Sequence, residues 1–530
     1  MIADALFVNA RVITMDPARP SAERFAVWKG RILGLDEEVD GLRAHRTVDL
    51  EGRTVVPGFV DAHTHLGWTG MRSISLNVRD ERTKEGVLAR ITEEARSGSG
   101  GGLIEVTGYD QRDIGGAHVT AEELDRAAPG RAVWVKHMSG HLSVVNAAAL
   151  AEADDRERVE RALAAEGLLL EEEQELVSDL VLPYPIELLE RALSIAGRQC
   201  LEDGVTACVD AGIGAGLASL SALELAAYQR LRERGELPVR VKLMPFHGVL
   251  HEVDGHPEDG MAAGIDLGIT EGFGDERLVL GPVKFWFDGG MMARTAAFTH
   301  PYAGSENLGL LTDDAETRSR QVVAAHVSGW NVAIHAIGDA AIDAAIDALR
   351  AAAEAMPRDD ARHRIEHGAV IREDQLAALR DLGVTIVAQP CFLWTSGDDF
   401  AEIMGAERTL QLYRGRSIVD AGIPYVASTD RPHVGTPLRA VQVLVERKSS
   451  TGRPLAPAEA LTADEALRAF TITAAKVAGW DHAIGSLEPG KLADFVVLGA
   501  DPRTVAPGEI GDIAVHRTYI EGDLVWEAEA

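Results

Sequence analysis

The chain has 530 residues, 46% of them hydrophobic, enough for one large domain with a satellite or for two or three domains. Its 83 Asp and Glu against 52 Lys and Arg give a formal net charge of −31, which argues against nucleic-acid and membrane partners because such a surface repels phosphate backbones and anionic lipid. With aromatics at 5% and abundant Gly and Ala, the composition suits an α/β enzyme better than an all-β module or a stacking surface for polymers.

The N-terminus, Met1 to Phe7, has no basic region and no long apolar run, so a secretory signal is not expected. No charge-free apolar stretch reaches the length of a membrane span. Cys200, Cys208 and Cys391 sit in apolar segments without CxxC spacing, which implies no disulfide framework. A reducing cytoplasm is the expected location.

The first fifty residues read as short strands separated by turns: Leu6 to Val8, Arg11 to Met15, Phe25 to Val27 and Arg31 to Leu35. Asp494 to Leu498, Val515 to Ile520 and Leu524 to Trp526 have the same texture at the other end. Chain termini often lie close together, so a composite β-sandwich of 1–54 and 484–530 is expected.

Between them, apolar strand-like runs occur at about 55–63, 204–210, 239–246, 279–287, 331–335, 362–367, 384–389 and 424–430. Helical periodicity lies between most of these, as at 339–355, 373–382, 408–421 and 437–447. Eight strands alternating with helices is the sequence form of a (β/α)8 TIM barrel over 55–483. The gap after the first strand is too long for one crossover, so about 67–185 is expected to be an insertion at the catalytic face.

Polar residues mark the strand ends. His63 and His65 stand two apart, so a strand aims both the same way, an arrangement suited to a metal ion. Lys284 interrupts an apolar run in the fourth strand. His335, His367 and Asp430 end the fifth, sixth and eighth. Each has a plain alternative: His335 or Asp430 as helix caps, His367 as a core histidine, Lys284 as a buried lysine paired with Asp288 or Glu366. Together they put polar groups at five strand ends of one face, which those alternatives explain poorly.

The pieces PGFVDAHTH at 57–65, VKFWFDGG at 283–290, NVAIHAIGDAAID at 331–343, RIEHG at 364–368, ASTDRP at 427–432 and GSLEPGKLADFVVL at 485–498 resemble the amidohydrolase superfamily. Within it they are similar to the amidohydrolase family 3 group that includes N-substituted formamide deformylases. The resemblance spans essentially the whole chain. It implies a fold of metal-dependent hydrolase type, with His63, His65 and Asp430 on one divalent ion, His335 and His367 on a second, and Lys284 bridging them as a carbamate formed with CO2. A lysine ammonium beside two cations would be repelled, whereas a carbamate supplies two anionic oxygens. Zn2+ is the expected metal, at one or two ions per chain, and it can bring bound water to a pKa of about 7. Asp430 would move the proton from nucleophile to leaving amine.

The resemblance implies hydrolysis of a non-peptide C–N bond in a small amide or N-substituted formamide by a metal-activated hydroxide. Cyclic-amide hydrolysis or deamination, a decarboxylase or lyase on the same scaffold, and a metal-free binding protein are the alternatives. The chain departs from many relatives at Gly290 to Thr295 and at Arg431-Pro432-His433, where Arg294 or Arg431 could meet an anionic substrate group or form loop salt bridges. His141 and Tyr109 of the insertion and Trp68 after His65 are further substrate-contact candidates. The Gly289–Gly309 segment reads as a loop near the mouth, and a homodimer or higher homo-oligomer is expected.

Overall fold

The computed structural model describes residues 2–97, 102–140, 142–216, 218–256 and 260–529, with backbone alone at 179 and 180. Strand Ile2–Val8 buries Ala3, Ala5 and Phe7 and leaves alternate residues outside, the period-two pattern of a half-covered strand. It lies in a four-stranded sheet with Arg31–Leu35, Phe25–Trp28 and Arg43–Asp49. A six-stranded sheet draws on both ends of the chain, with Phe495–Leu498 antiparallel to Thr54–Pro57. The faces of the two sheets meet where Phe7 stacks on Phe25 at 4.9 Å and meets Phe495 edge-on at 5.0 Å.

The apolar run at 55–63 is two strands rather than one. Thr54–Pro57 belongs to the terminal sheet, and Phe59–Thr64 starts the central one. Gly58 is the corner: a Cβ there would sit 2.1 Å from Thr206 Oγ1, so only glycine lets the chain pass.

The middle of the chain forms two all-parallel sheets. One orders Phe59–Thr64, Val205–Ile213, Arg240–Pro245 and Leu278–Leu280, and the other orders Val283–Trp286, Val332–Ala336, Arg364–His367, Thr385–Ala388 and Tyr425–Ala427. A parallel bridge between Phe246 and Lys284 joins the sheets on one side, and Asp430 N donates to His63 O at 3.0 Å on the other. The expected strand at 279–287 is broken at Gly281-Pro282, because proline has no N–H for the ladder. Strand positions are buried almost throughout, as expected when helices cover a parallel sheet. The periodic stretch at 339–355 forms helix Asp339–Ala355, whose buried Ala341, Ile342, Ala345, Ile346 and Leu349 follow helical spacing. This α/β alternation is of TIM-barrel type, in which C-terminal strand ends share one mouth.

Between Phe59–Thr64 and Val205–Ile213 stands a separate five-stranded sheet: Leu168–Leu170, Leu142–Val145, Val133–His137, Ile104–Tyr109 and Leu76–Asn77. Segments flanking it meet those that follow the parallel strands. Arg112 pairs with Asp399, Arg72 donates to Pro432 O at 2.6 Å, and Thr295 Oγ1 donates to Glu171 at 2.8 Å. The three cysteines are buried and free. Among the described residues no helix is long and apolar enough to cross a membrane.

Candidate metal centre

His63 sits at the end of the first parallel strand, and His65 starts helix Leu66–Ile74. Their Nε2 atoms lie 3.6 and 3.4 Å from one oxygen, Asp430 Oδ1. His367 Nδ1 is 3.9 Å from Asp430 Oδ2. One donor atom each from His63, His367 and Asp430 lie within 4.8 Å of one another, a spread one cation can bridge after small side-chain adjustments. The His335 ring is 4.4 Å from that of His367. Lys284 is fully buried, and its Nζ has no hydrogen-bond partner. Its charge bears on His63 and His367, which places it beside them.

Two of these residues hold backbone conformations that side chains rarely adopt, His367 at φ 74° and Asp430 at φ 57°. Each costs on the order of 1–3 kcal/mol, strain that collects at functional sites. At His367 it has a purpose. Strand alternation would aim Glu366 and His367 to opposite faces, yet Glu366 contacts His63 and the His367 ring lies 5.1 Å from the His63 ring.

Buried partners orient the imidazoles. His63 Nδ1 pairs with Glu366, which also takes Arg364, so His63 Nε2 is left facing Asp430. Burial disfavours the Glu366 carboxylate, but Arg364 and His63 outweigh it and hold the carboxyl well below its usual range. Burial and Lys284 lower His63 to about 4, and burial lowers His367 to about 3, so both rings are neutral at pH 7, the form in which an imidazole can bind a metal. Gln389 donates to Val387 O and Ser428 Oγ at 3.0 Å each, which turns its Oε1 to accept from His367 Nδ1 at 2.7 Å. Burial opposes ionisation of Asp430, and the surrounding imidazoles reverse that and hold it well below the carboxylate range. Asp288, offered above as a partner of Lys284, instead accepts from Ala297 N, Ile337 N and Gly338 N and lies 3.4 Å from His335 Nε2.

Glu366, Gln389 and Asp288 were not singled out as site residues. Glu366 carried the one usable signal, a carboxylate in a buried strand beside His367. Glu366→Gln should weaken metal binding by about 10–100-fold, read by competition with a chromophoric chelator, and affinity within about twofold of wild type would remove Glu366 from this role.

A family model for the amidohydrolase family matches residues 46–526. The chain belongs to that family. It is 30% identical over 548 residues to Protein LONG AFTER FAR-RED 3 of Arabidopsis thaliana, covering 99% of this chain and 92% of that one. It is 30% identical over 557 residues to N-substituted formamide deformylase of Arthrobacter pascens, covering 99% and 98%. An uncharacterized metal-dependent hydrolase from Pyrococcus horikoshii superposes with a TM-score of 0.76 at 25% identity, over 96% of this chain and 99% of that one.

The candidate substrate contacts of this amidohydrolase divide. Trp68 lies over the centre, its ring 5.0 Å from His65. Arg294 is exposed on the loop 289–309, which has neither helix nor strand. Tyr109 is turned into the insertion's core: its hydroxyl accepts from Val119 N at 3.0 Å and meets His118 Nδ1 at 3.2 Å. Arg431 is buried, with Nη2 on Asp203 and Nε 3.8 Å from Asp61. For Tyr109 and Arg431 these partners favour a structural role over substrate contact, because a buried group already paired has little left to offer. His141 lies outside the described residues; its neighbour Gly140 stands against Trp68.

Proposed function

We propose that this amidohydrolase cleaves a non-peptide C–N bond in a small amide or N-substituted formamide. His63, His65, His335, His367 and Asp430 would hold one or two divalent ions, expected to be Zn2+, with Lys284 as a carbamate that would bridge two. The observation that carries this reading is the convergence of neutral imidazoles and an ionised Asp430 beside a buried lysine amine without a partner. The likeness to N-substituted formamide deformylase over 99% of the chain supports the bond type.

The donor set fits the metal: neutral imidazole nitrogens and carboxylate oxygen suit Zn2+ and its first-row neighbours. Lys284 fits carboxylation. Burial lowers its ammonium to about 8, against the pull of Glu366 and Asp430. About a tenth of the amine is then neutral and nucleophilic at pH 7, against less than a thousandth for an ordinary lysine. A bound metal supplies Lewis acidity and makes water a nucleophile near neutral pH. Asp430 accepts the proton as water adds to the carbonyl carbon, and returns it to the amine nitrogen as the C–N bond breaks. Trp68 limits access of bulk solvent on the His65 side.

The test joins two readouts. Elemental analysis of chelator-free protein should give about one or two divalent ions per chain. A screen of N-substituted formamides, amides and cyclic amides should release amine plus acid. Release of CO2 or an aldehyde would move the assignment to a decarboxylase or lyase. Folded protein without metal, inactive after Zn2+, Mn2+ and bicarbonate, would leave a binding protein.

A further inference from the structure

Arg72 follows Trp68 by four residues on helix Leu66–Ile74, so the two share one helical face. Seven residues at about 1.5 Å each separate it from His65, so its Cα lies about 10 Å along the helix from the metal ligands. Its Nη1 donates to Pro432 O at 2.6 Å, two residues past Asp430, and its Nη2 lies 3.9 Å from Met138 Sδ. The head group is therefore at the mouth, between the loop after the eighth strand and the insertion.

What the guanidinium lacks is a counterion. In a chain with 83 Asp and Glu, no carboxylate among the described residues lies within 4.0 Å of Arg72 or of Arg79. Both arginines are half-buried. Both stand against Thr107-Gly108: Thr107 Oγ1 donates to Arg72 O at 3.3 Å, and Arg79 N and Cβ lie 3.0 Å from where a Cβ on Gly108 would sit. Burial, with the like charge of Arg79, lowers Arg72 to about 10. Arg112 also bears on this region, but its charge is met by Asp110 and Asp399. Two half-buried cations side by side without a carboxylate partner repel, and an anion placed between them would relieve that repulsion.

A second, independent feature stands beside them. His433 Nδ1 is shielded from solvent and has no hydrogen-bond partner. Its Nε2 is 3.4 Å from Thr395 Oγ1, and its ring packs 4.1 Å from Phe392, which in turn stacks on His367. His433 directly follows Pro432, whose carbonyl holds Arg72, and its N donates to Asp430 O at 2.9 Å, so this unfilled polar atom belongs to the turn that joins the arginine to the metal centre. The charges of Arg72, Arg79, Arg112 and Asp430 all bear on it.

We propose that Arg72, Arg79 and His433 form an anion subsite at the mouth, and that the substrate carries a carboxylate beyond the bond that is cleaved. This rests on the C–N hydrolase reading and narrows it to amides or formamides whose amine or acyl part bears a carboxylate. Guanidinium groups match a carboxylate in planar, two-pronged fashion, and an imidazole N–H can take a remaining lone pair.

The test is isothermal titration of the metal-loaded protein with hexanoate and with 1-hexanol, a neutral probe of the same length that has no C–N bond to cleave. Wild type should bind hexanoate about tenfold or more tightly than 1-hexanol, a margin expected of charge-assisted bonds. Arg79→Gln should abolish that margin, and Arg79→Lys, which keeps the charge, should retain most of it. Thermal midpoints of each variant show that the fold is kept, and Arg79 is chosen because Arg72 also pins Pro432. Equal binding of the two probes to wild type overturns the proposal. So does hexanoate binding that survives Arg79→Gln, which would put the carboxylate on the metal. Arg79-dependent binding in a protein that hydrolyses no amide or formamide would keep the subsite and defeat only the proposed reaction.

Discussion

Asp430→Asn should lower kcat by about 10²–10⁴-fold, the range set by loss of a positioned proton carrier. The fold should survive. Asp430 is held through its backbone, with N donating to His63 O at 3.0 Å and O accepting from His433 N at 2.9 Å. Its φ of 57° falls in the left-handed region that asparagine tolerates better than most side chains. The amide keeps the shape and one oxygen near His63 and His65, but it cannot take a proton. The measurement is single-turnover hydrolysis at saturating metal, with metal content assayed on the same preparation. Turnover within a few-fold of wild type, with metal retained, would remove Asp430 from proton transfer.

Lys284→Ala should show the second large effect, on metal rather than on folding. The amine is fully buried, has no hydrogen-bond partner, and lies 5.8 Å from the Trp286 ring. The charges of Glu366 and Asp430 offset only part of the cost of taking that amine out of water, so removing it relieves a desolvation penalty while opening a cavity. The thermal midpoint of the metal-free protein should therefore change little. If Lys284 bridges the ions as a carbamate, the variant should lose metal affinity by about 100-fold or more, above the range for outer supporting groups. Elemental analysis after dialysis decides it: full metal content in Lys284→Ala would exclude the bridge.

The central features of the site were legible because they are local. His63 and His65 read as a pair from strand alternation alone, and the strand-end residues His335, His367 and Asp430 stood out as polar groups closing apolar runs. Helix Asp339–Ala355 was bounded correctly because its apolar spacing is regular. Helix Cys391–Thr409 was not foreseen, and the periodic stretch at 408–421 holds only the end of it and the short helix Arg416–Asp420. Its Thr395-Ser396-Gly397 stretch and the non-helical Gly405 weaken both propensity and pattern.

The residues that orient the imidazoles and Asp430 were not legible, because their roles exist only across long separations. Glu366 matters because it meets His63, 303 positions away, and Gln389 because Ser428 and Val387 fix its amide. Tyr109 and Arg431 looked available in the sequence, and the fold supplied them with His118, Val119, Asp203 and Asp61. The unpaired state of Arg72 and Arg79 is likewise invisible in a chain so rich in carboxylates.

What the sequence determined by itself is the alternation of strands and helices, the β-rich ends and the polar residue types at the strand ends, since these follow from periodicity and residue chemistry within a few positions. The tertiary structure decided which of those side chains face one another, which charges are neutralised, and where Thr54–Pro57 parts from Phe59–Thr64. Those outcomes depend on pairing between segments far apart in the chain, on burial that shifts each titration, and on the close approach at Gly58 that no local pattern records.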